Sequence, residues 1–169
     1  LMLDESTIWL VRLQGVGYAR AEDMVNSGVS GPNVRAAGVN YDVRWAHPYS
    51  VYDQVDWEPA VEKPTSVKGA DCYDRYRVRM EEMRQSCRMT LDALDKIPGG
   101  ANTHYNTGDE MIITKAPTRA PEGATGFSNY ECTRGASQFY IQGGGDGRGK
   151  NPYRLSIRSP MFITIPYVA

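Results

Sequence analysis

The longest regular alternation of apolar and polar positions runs from Asp71 to Ile97. Tyr73, Tyr76, Met80, Met83, Cys87, Leu91, Leu94 and Ile97 follow one another at steps of 3, 4, 3, 4, 4, 3 and 3. That spacing draws one apolar stripe along an amphipathic helix, about 39 Å long at a rise of about 1.5 Å per residue. Asp71 is placed to cap its start, and Pro98-Gly99-Gly100 stops it. Arg77–Glu81 and Glu81–Arg84 are spaced to pair along the polar side, each pair worth a few tenths of a kcal/mol. Arg75, Arg77, Arg79, Arg84 and Arg88 crowd the same helix. A solvated or subunit-facing surface accounts for them better than catalysis does.

Ahead of this helix the pattern is broken by small residues. Ile8 to Val11 is a short apolar run, and Ala19 to Ser27 reads as a short helix ending at Gly28. Residues 28 to 38 are rich in glycine and alanine, which suits close backbone approach and tight packing. Arg35 stands alone among them and is expected to be buried and hydrogen-bonded, because an unpaired buried charge is costly. Val39, Tyr41, Val43 and Trp45 alternate with polar positions and predict a short strand. Pro48 ends it, and an aromatic loop with Tyr49, Tyr52 and Trp57 leads into an extended connector between Pro59 and Pro64.

Beyond the helix, residues 99 to 123 read as loop, with room for a strand at Met111-Ile112-Ile113. The pattern then turns to period two, over Thr125 to Cys132, Ser137 to Gln142 and Tyr153 to Arg158. In the last of these, Tyr153, Leu155 and Ile157 form an apolar face opposite Arg154, Ser156 and Arg158. The tail from Ser159, with Pro160 and Pro166, is expected to end without a closing helix. Together these elements predict an α+β fold in a single region, 1–169, with a long helix over 71–97 and a β-rich part over 123–158.

Composition narrows the chemistry. Nineteen basic residues against 20 acidic ones leave a formal charge of −1, which argues against a nucleic-acid or anionic-membrane binder. No apolar run approaches the ~18 residues that span a bilayer. The opening Leu1-Met2-Leu3-Asp4-Glu5 lacks the basic and apolar regions of a signal peptide. Cys72, Cys87 and Cys132 are far apart and odd in number, so free thiols are expected and no metal site. Gly144 to Lys150 matches G-x-x-x-x-G-K, yet Asn151-Pro152 and a strand follow where a phosphate-binding loop needs a helix. A hairpin connection is the reading for that loop.

Several segments resemble one family. Gly31-Pro32-Asn33-Val34-Arg35-Ala36-Ala37-Gly38-Val39, with Tyr41-Asp42-Val43-Arg44, is similar to its G-x-x-x-R-x-x-G-I-x-W-D-L-R motif. Pro48-Tyr49-Ser50-Val51-Tyr52-Asp53 resembles its P-Y-x-x-Y-D. Gly69-Ala70-Asp71-Cys72-Tyr73-Asp74-Arg75-Tyr76, continued by Arg79-Met80-Glu81-Glu82-Met83-Arg84-Gln85-Ser86, resembles its G-D-x-Y-D-R-Y…R-x-E-E-M-R-Q-S. Pro121-Glu122-Gly123-Ala124-Thr125, Thr133-Arg134-Gly135, Pro152-Tyr153-Arg154 and Ile157-Arg158-Ser159-Pro160-Met161-Phe162 extend the likeness almost to the C-terminus. The family is the large, quinone-site core subunit of respiratory complex I, NADH:ubiquinone oxidoreductase, itself related to nickel–iron hydrogenase large subunits. The wording around Cys72 is most similar to mitochondrial members.

The resemblance implies a hydrogenase-large-subunit-like fold and a part in reducing ubiquinone beside a 4Fe-4S cluster held by a partner subunit, with no cofactor bound by this chain. The implied partners are other complex I subunits, above all the terminal iron–sulfur subunit, and contact with the membrane comes only through the complex. The implied location is the matrix side of the mitochondrial inner membrane, or the cytoplasmic face of a prokaryotic one. Arg134 and Arg158 match positions where the family carries a cation, making them candidates for redox tuning or for the quinone chamber. Arg35, Gly38, Tyr49, Tyr52, Asp53, Tyr73, Arg75, Tyr76, Pro160 and Phe162 are the structural or interface candidates. The likeness covers only the later part of the family's subunit. It omits the quinone-contacting loop, and a helix of mitochondrial members is missing within 101–120. A split or partial form is therefore expected, with a companion chain supplying the missing N-terminal part. A structural or assembly subunit, or part of a related hydrogenase-like dehydrogenase, stands as the alternative.

Overall fold

The structure is a computed structural model and describes residues 5–96, 121–144 and 151–168. Its elements are α1 (Thr7–Leu13), α2 (Ala21–Asn26), α3 (Pro32–Ala36), α4 (Val43–Ala46), α5 (Cys72–Lys96), β1 (Thr125–Cys132), β2 (Gly135–Gly143), β3 (Pro152–Arg158) and α6 (Met161–Val168). The three strands form one antiparallel sheet in the order β1-β2-β3, so helices and an antiparallel sheet coexist as an α+β fold. The Met111–Ile113 segment, the missing family helix in 101–120 and glycines 145–149 of the loop lie outside the described residues. The strands on either side of that loop, β2 and β3, pair antiparallel.

Helix α5 starts with a reciprocal cap. The Asp71 carboxylate accepts from the Asp74 N–H at 3.0 Å, and the Asp74 carboxylate accepts from the Asp71 N–H at 3.1 Å. Two backbone donors that a helix start would leave unpaired are thereby satisfied. The same two carboxylates tie down distant loops, Asp71 through Gly15 N–H and Asp74 through Thr65 N–H.

Small residues make up most of the core. Ala19, Ala36, Ala37, Ala60 and Ala70 pack with Met24, Val29, Val34 and Val78. Alanines let backbones approach, and Ala19 and Ala70 exchange a pair of 2.9 Å backbone hydrogen bonds. A tight backbone approach, matched by that of Gly69 to Ala19, joins α3 to the β1–β2 turn. A Cβ on Gly31 would lie 2.4 Å from the Gly135 Cα, and Gly31 has φ +79°. The tight packing expected of residues 28 to 38 is located here.

The structure corrects three expectations. Residues 39–45 are not a strand: Asp42 accepts from Arg44 N–H at 2.9 Å and caps α4, so the short helix wins over the alternation. The tail does close with a helix, α6. There Ile163 and Tyr167, four residues apart, pack on the core, which outweighs the one hydrogen bond that Pro166 removes. Arg77 pairs with Glu62 at 2.9 Å in place of Glu81, whereas Arg84 does pair with Glu81. The structure also decides which face of α5 is inside. Asp74 and Val78 are its buried residues, while Met83, Leu91 and Leu94 of the apolar stripe are exposed. At about 100° per residue these two sets lie on opposite sides of the helix. Among the described residues the stripe is covered near its start, where Trp9 of α1 meets Tyr76 edge-on at 5.5 Å. The apolar face of β3 is open in the same way, with Tyr153, Leu155 and Ile157 exposed.

Two glycines with similar φ separate strain from crowding. Gly123 has φ +75° and open space where a Cβ would sit, unlike Gly31. Gly123→Ala should cost only the backbone strain, about 1–2 kcal/mol. Gly31→Ala should add overpacking of about 1–3 kcal/mol. Chemical denaturation of the two variants side by side checks this, and equal losses would refute the close approach.

Candidate functional site

The largest fully buried side chain among the described residues is a charged one, Arg35, with 1% of its surface exposed. It projects from α3, a five-residue helix begun by Gly31 and Pro32, into a ring of acceptors drawn from three other parts of the chain. Its Nη1 lies 3.1 Å from an Asp42 carboxylate oxygen and 3.0 Å from one of Glu131, and donates to the Tyr41 carbonyl at 3.0 Å. Its Nε donates to Glu82 at 3.1 Å, and its Nη2 bonds the same Glu82 oxygen. The guanidinium thus joins α3, the segment before α4, α5 and the end of β1 at one point.

Neighbours extend the cluster. Asp42 holds a second cation, Arg44, through Nη2 at 2.8 Å and Nε at 3.0 Å. The Arg44 guanidinium lies 4.6 Å from the Trp57 ring centre and 5.5 Å from that of Tyr52, so cation–π attraction anchors the aromatic loop. Glu131 receives Val43 N–H at 3.2 Å, and its own N–H donates to the Tyr49 hydroxyl at 3.2 Å. Burial, with help from the Asp42 charge and against that of Arg35, raises the Glu131 carboxyl above the usual carboxylate range.

The sequence candidates are spread over several parts of the fold. Arg35, Tyr49 and Tyr52 belong to this cluster. Gly38, at φ +88°, follows α3, and Asp53 is exposed in the aromatic loop. Tyr73 stacks on Tyr76 at 6.1 Å at the start of α5. Arg75 donates to the Gly17 carbonyl at 2.6 Å, to the Ala70 carbonyl at 3.1 Å and to the Cys72 sulfur at 3.2 Å. Arg75 is therefore drawn inward to fasten loops, unlike the exposed Arg79, Arg84 and Arg88. Arg75 and Cys72 border a cleft of about 640 Å³ that Tyr18, Met24, Val29 and Tyr167 also line. Pro160 is buried and begins the turn into α6, whereas Phe162 is exposed.

Arg134 and Arg158 are not brought together. Arg134 is exposed in the turn between β1 and β2, next to the Gly31–Gly135 approach. Arg158, at the end of β3, donates to the Gly28 carbonyl at 3.1 Å and so binds the sheet to the end of α2. Asp42, Glu82 and Glu131 were missed as members of a site. Their signal was present in the arithmetic of burial: an arginine placed inside demands carboxylates, and each of these three lies in or beside a family motif. Among the described residues, no group of three His, Cys, Asp or Glu side chains is placed to hold a metal ion. No described helix is long and apolar enough to cross a membrane.

Comparison with known proteins gives one consistent picture. The model of the respiratory-chain NADH dehydrogenase 49 kDa subunit family matches residues 1–169. An NAD(P)H-quinone oxidoreductase subunit from Synechococcus sp. (strain JA-2-3B'a(2-13)) is 35% identical over 180 residues, covering 97% of this chain and 44% of that protein. An NADH-quinone oxidoreductase subunit from Syntrophobacter fumaroxidans is 39% identical over 163 residues, covering 95% of this chain and 39% of that protein. Another, from Roseiflexus sp. (strain RS-1), is 37% identical over 164 residues, at 97% and 41%. The chain thus spans well under half the length of the relatives it matches.

Removing the central cation tests the cluster. Arg35→Ala leaves three carboxylates facing one another without their shared partner, and should cost about 3–5 kcal/mol at neutral pH. Without the guanidinium the folded state binds protons more tightly than the unfolded chain, so the loss should shrink as pH falls and grow as it rises. Arg35→Lys keeps the charge but not the planar fork and should recover only part of the stability. Denaturation midpoints across pH measure all three effects. A loss under about 1 kcal/mol, well below that of a broken buried pair, or one independent of pH, would remove Arg35 as the organising charge.

Proposed function

The chain belongs to the 49 kDa subunit family of respiratory-chain NADH dehydrogenase, and from that membership we propose that it is a component of the quinone-reducing peripheral arm of a proton-translocating NADH:quinone oxidoreductase. The observation that carries the reading is the family match along the whole chain. The convergence at Arg35 supports it. The G-x-x-x-R segment supplies Arg35 and the E-E-M-R-Q segment supplies Glu82, while Glu131 stands just before Thr133-Arg134-Gly135. Residues far apart in sequence are spent on one joint that holds the β1–β2 turn in place.

In this reading the chain carries no redox group. Ubiquinone is the substrate and a 4Fe-4S cluster in the terminal iron–sulfur subunit is the donor, while the rest of the subunit completes the chamber. The fold is then a portion of the hydrogenase-large-subunit type. The assembly sits on the matrix face of the mitochondrial inner membrane or the cytoplasmic face of a prokaryotic one. The wording around Cys72 favours the first, and the bacterial relatives allow the second. Electron transfer depends on holding donor and acceptor close, so the contribution of this chain is positioning. The open apolar faces of α5 and β3 suit a chain whose surface is covered in an assembly.

A fixed cation near a quinone anion or a reduced cluster stabilises the added charge, the more so in a low dielectric. Arg158 uses a donor on the Gly28 carbonyl, which makes it the fastening residue of the pair. Arg134, exposed at its turn, is the cation available to a partner. In the assembled complex, Arg134→Met should leave assembly intact and lower quinone reductase turnover about tenfold, equivalent to roughly 1.4 kcal/mol of barrier. Arg158→Met should lower the yield of complex more than its turnover. Assembled Arg134→Met complex with unaltered turnover would favour the structural or assembly role instead.

A further inference from the structure

The charges around Arg35 do not balance. Arg35 and Arg44 face three carboxylates, Asp42, Glu82 and Glu131, in a space from which water is largely excluded. Asp42 and Glu131 present oxygens at 3.1 Å and 3.0 Å to one and the same nitrogen, Nη1 of Arg35. Two anions on one donor repel each other, and a single proton would neutralise the group. Asp42 is the worse seat for it, because its two oxygens already hold Arg44 at 3.0 Å and 2.8 Å and cap α4. Glu131 has one oxygen on Arg35 and the other on a neutral backbone donor, Val43 N–H.

We infer that the Arg35 cluster carries one exchangeable proton, shared by Asp42 and Glu131 and seated on Glu131. The charged groups around that carboxyl are Arg35 from α3, Asp42 before α4 with its partner Arg44, and Glu82 from α5 through the shared guanidinium, while the Tyr49 hydroxyl of the aromatic loop accepts the Glu131 N–H. Opposite Glu131 on β2 stands Ala136, which does not titrate. The raised Glu131 carboxyl agrees with this arrangement. The direction of the linkage follows from it. A carboxyl that binds its proton more tightly in the closed cluster than in water stabilises the closed form when protonated. The junction of β1 with α4 is therefore tightest with the proton on, and slackens as pH rises through the Glu131 titration. Because the Asp42 charge pushes the Glu131 carboxyl upward, removing that charge must bring Glu131 down.

The test is a carboxyl carbon NMR titration of Glu131 in the full chain, with Asp42→Asn and Glu131→Gln as comparisons. Glu131 in the unaltered chain should titrate above the ordinary glutamate range, and Asp42→Asn should bring it back toward that range. Glu131→Gln imitates the protonated form, so its stability should fall less with rising pH than that of the unaltered chain. An ordinary or lowered Glu131 titration in the unaltered chain, which needs no variant to measure, would overturn the inference. So would a raised titration indifferent to Asp42→Asn, or parallel pH–stability profiles for Glu131→Gln and the unaltered chain.

Discussion

A guanidinium can be buried only if its charge and its donors are met, and that requirement organises this protein. Arg35 has no water to fall back on, so Asp42, Glu82, Glu131 and the Tyr41 carbonyl must all arrive around it. They come from three separate stretches of the chain. Meeting the arginine therefore fixes where α5 lies, where α4 begins and how the sheet attaches. Apolar contacts between small alanines and valines are interchangeable in register by comparison, whereas a forked cation accepts few arrangements.

The glycines complete what the charge begins. Glu131 can reach Arg35 only if β1 and its turn come close to α3, and the Gly31–Gly135 approach is what permits it. Ser30 adds a hydroxyl acceptor to Ala136 N–H at 3.0 Å, and Arg158 fastens the far strand to Gly28. The sheet is thus attached along the end that carries the β1–β2 turn. Its opposite, apolar face remains open, as does the outer side of α5. Arg35, Asp42, Asp71 and Asp74 are buried beside the small-residue core, while the apolar stripes of α5 and β3 lie outside. Open apolar stripes of this kind mark interaction surfaces.

Much of this was legible in the order of residues. The span of α5, its Asp71 cap, the three strands, the burial of Arg35 and the family could each be reached from periodicity, turn chemistry or motif. Those signals are local or are carried whole within one segment. The strand expected at 39–45 failed because alternation over seven residues says nothing about Asp42, whose side chain caps a helix while Arg35 holds it. The closing helix was passed over because two prolines outweigh, locally, a pair of apolar residues that matter only against the core.

Left to three dimensions were the partner each group meets and the face each element turns inward. Periodicity marks the apolar stripe of α5 but carries no sign for inside or outside, and the helix buries Asp74 and Val78 instead. Motifs name Arg35, Glu82 and the strand before Arg134, yet give no distances, and the closing of distant segments on one guanidinium has no signature within any of them. The order of residues was enough to set the elements and to demand counter-charges for a buried arginine. Which carboxylates answer that demand was chosen in the folded chain, because electrostatic partners are selected by proximity in space and not by spacing along the backbone.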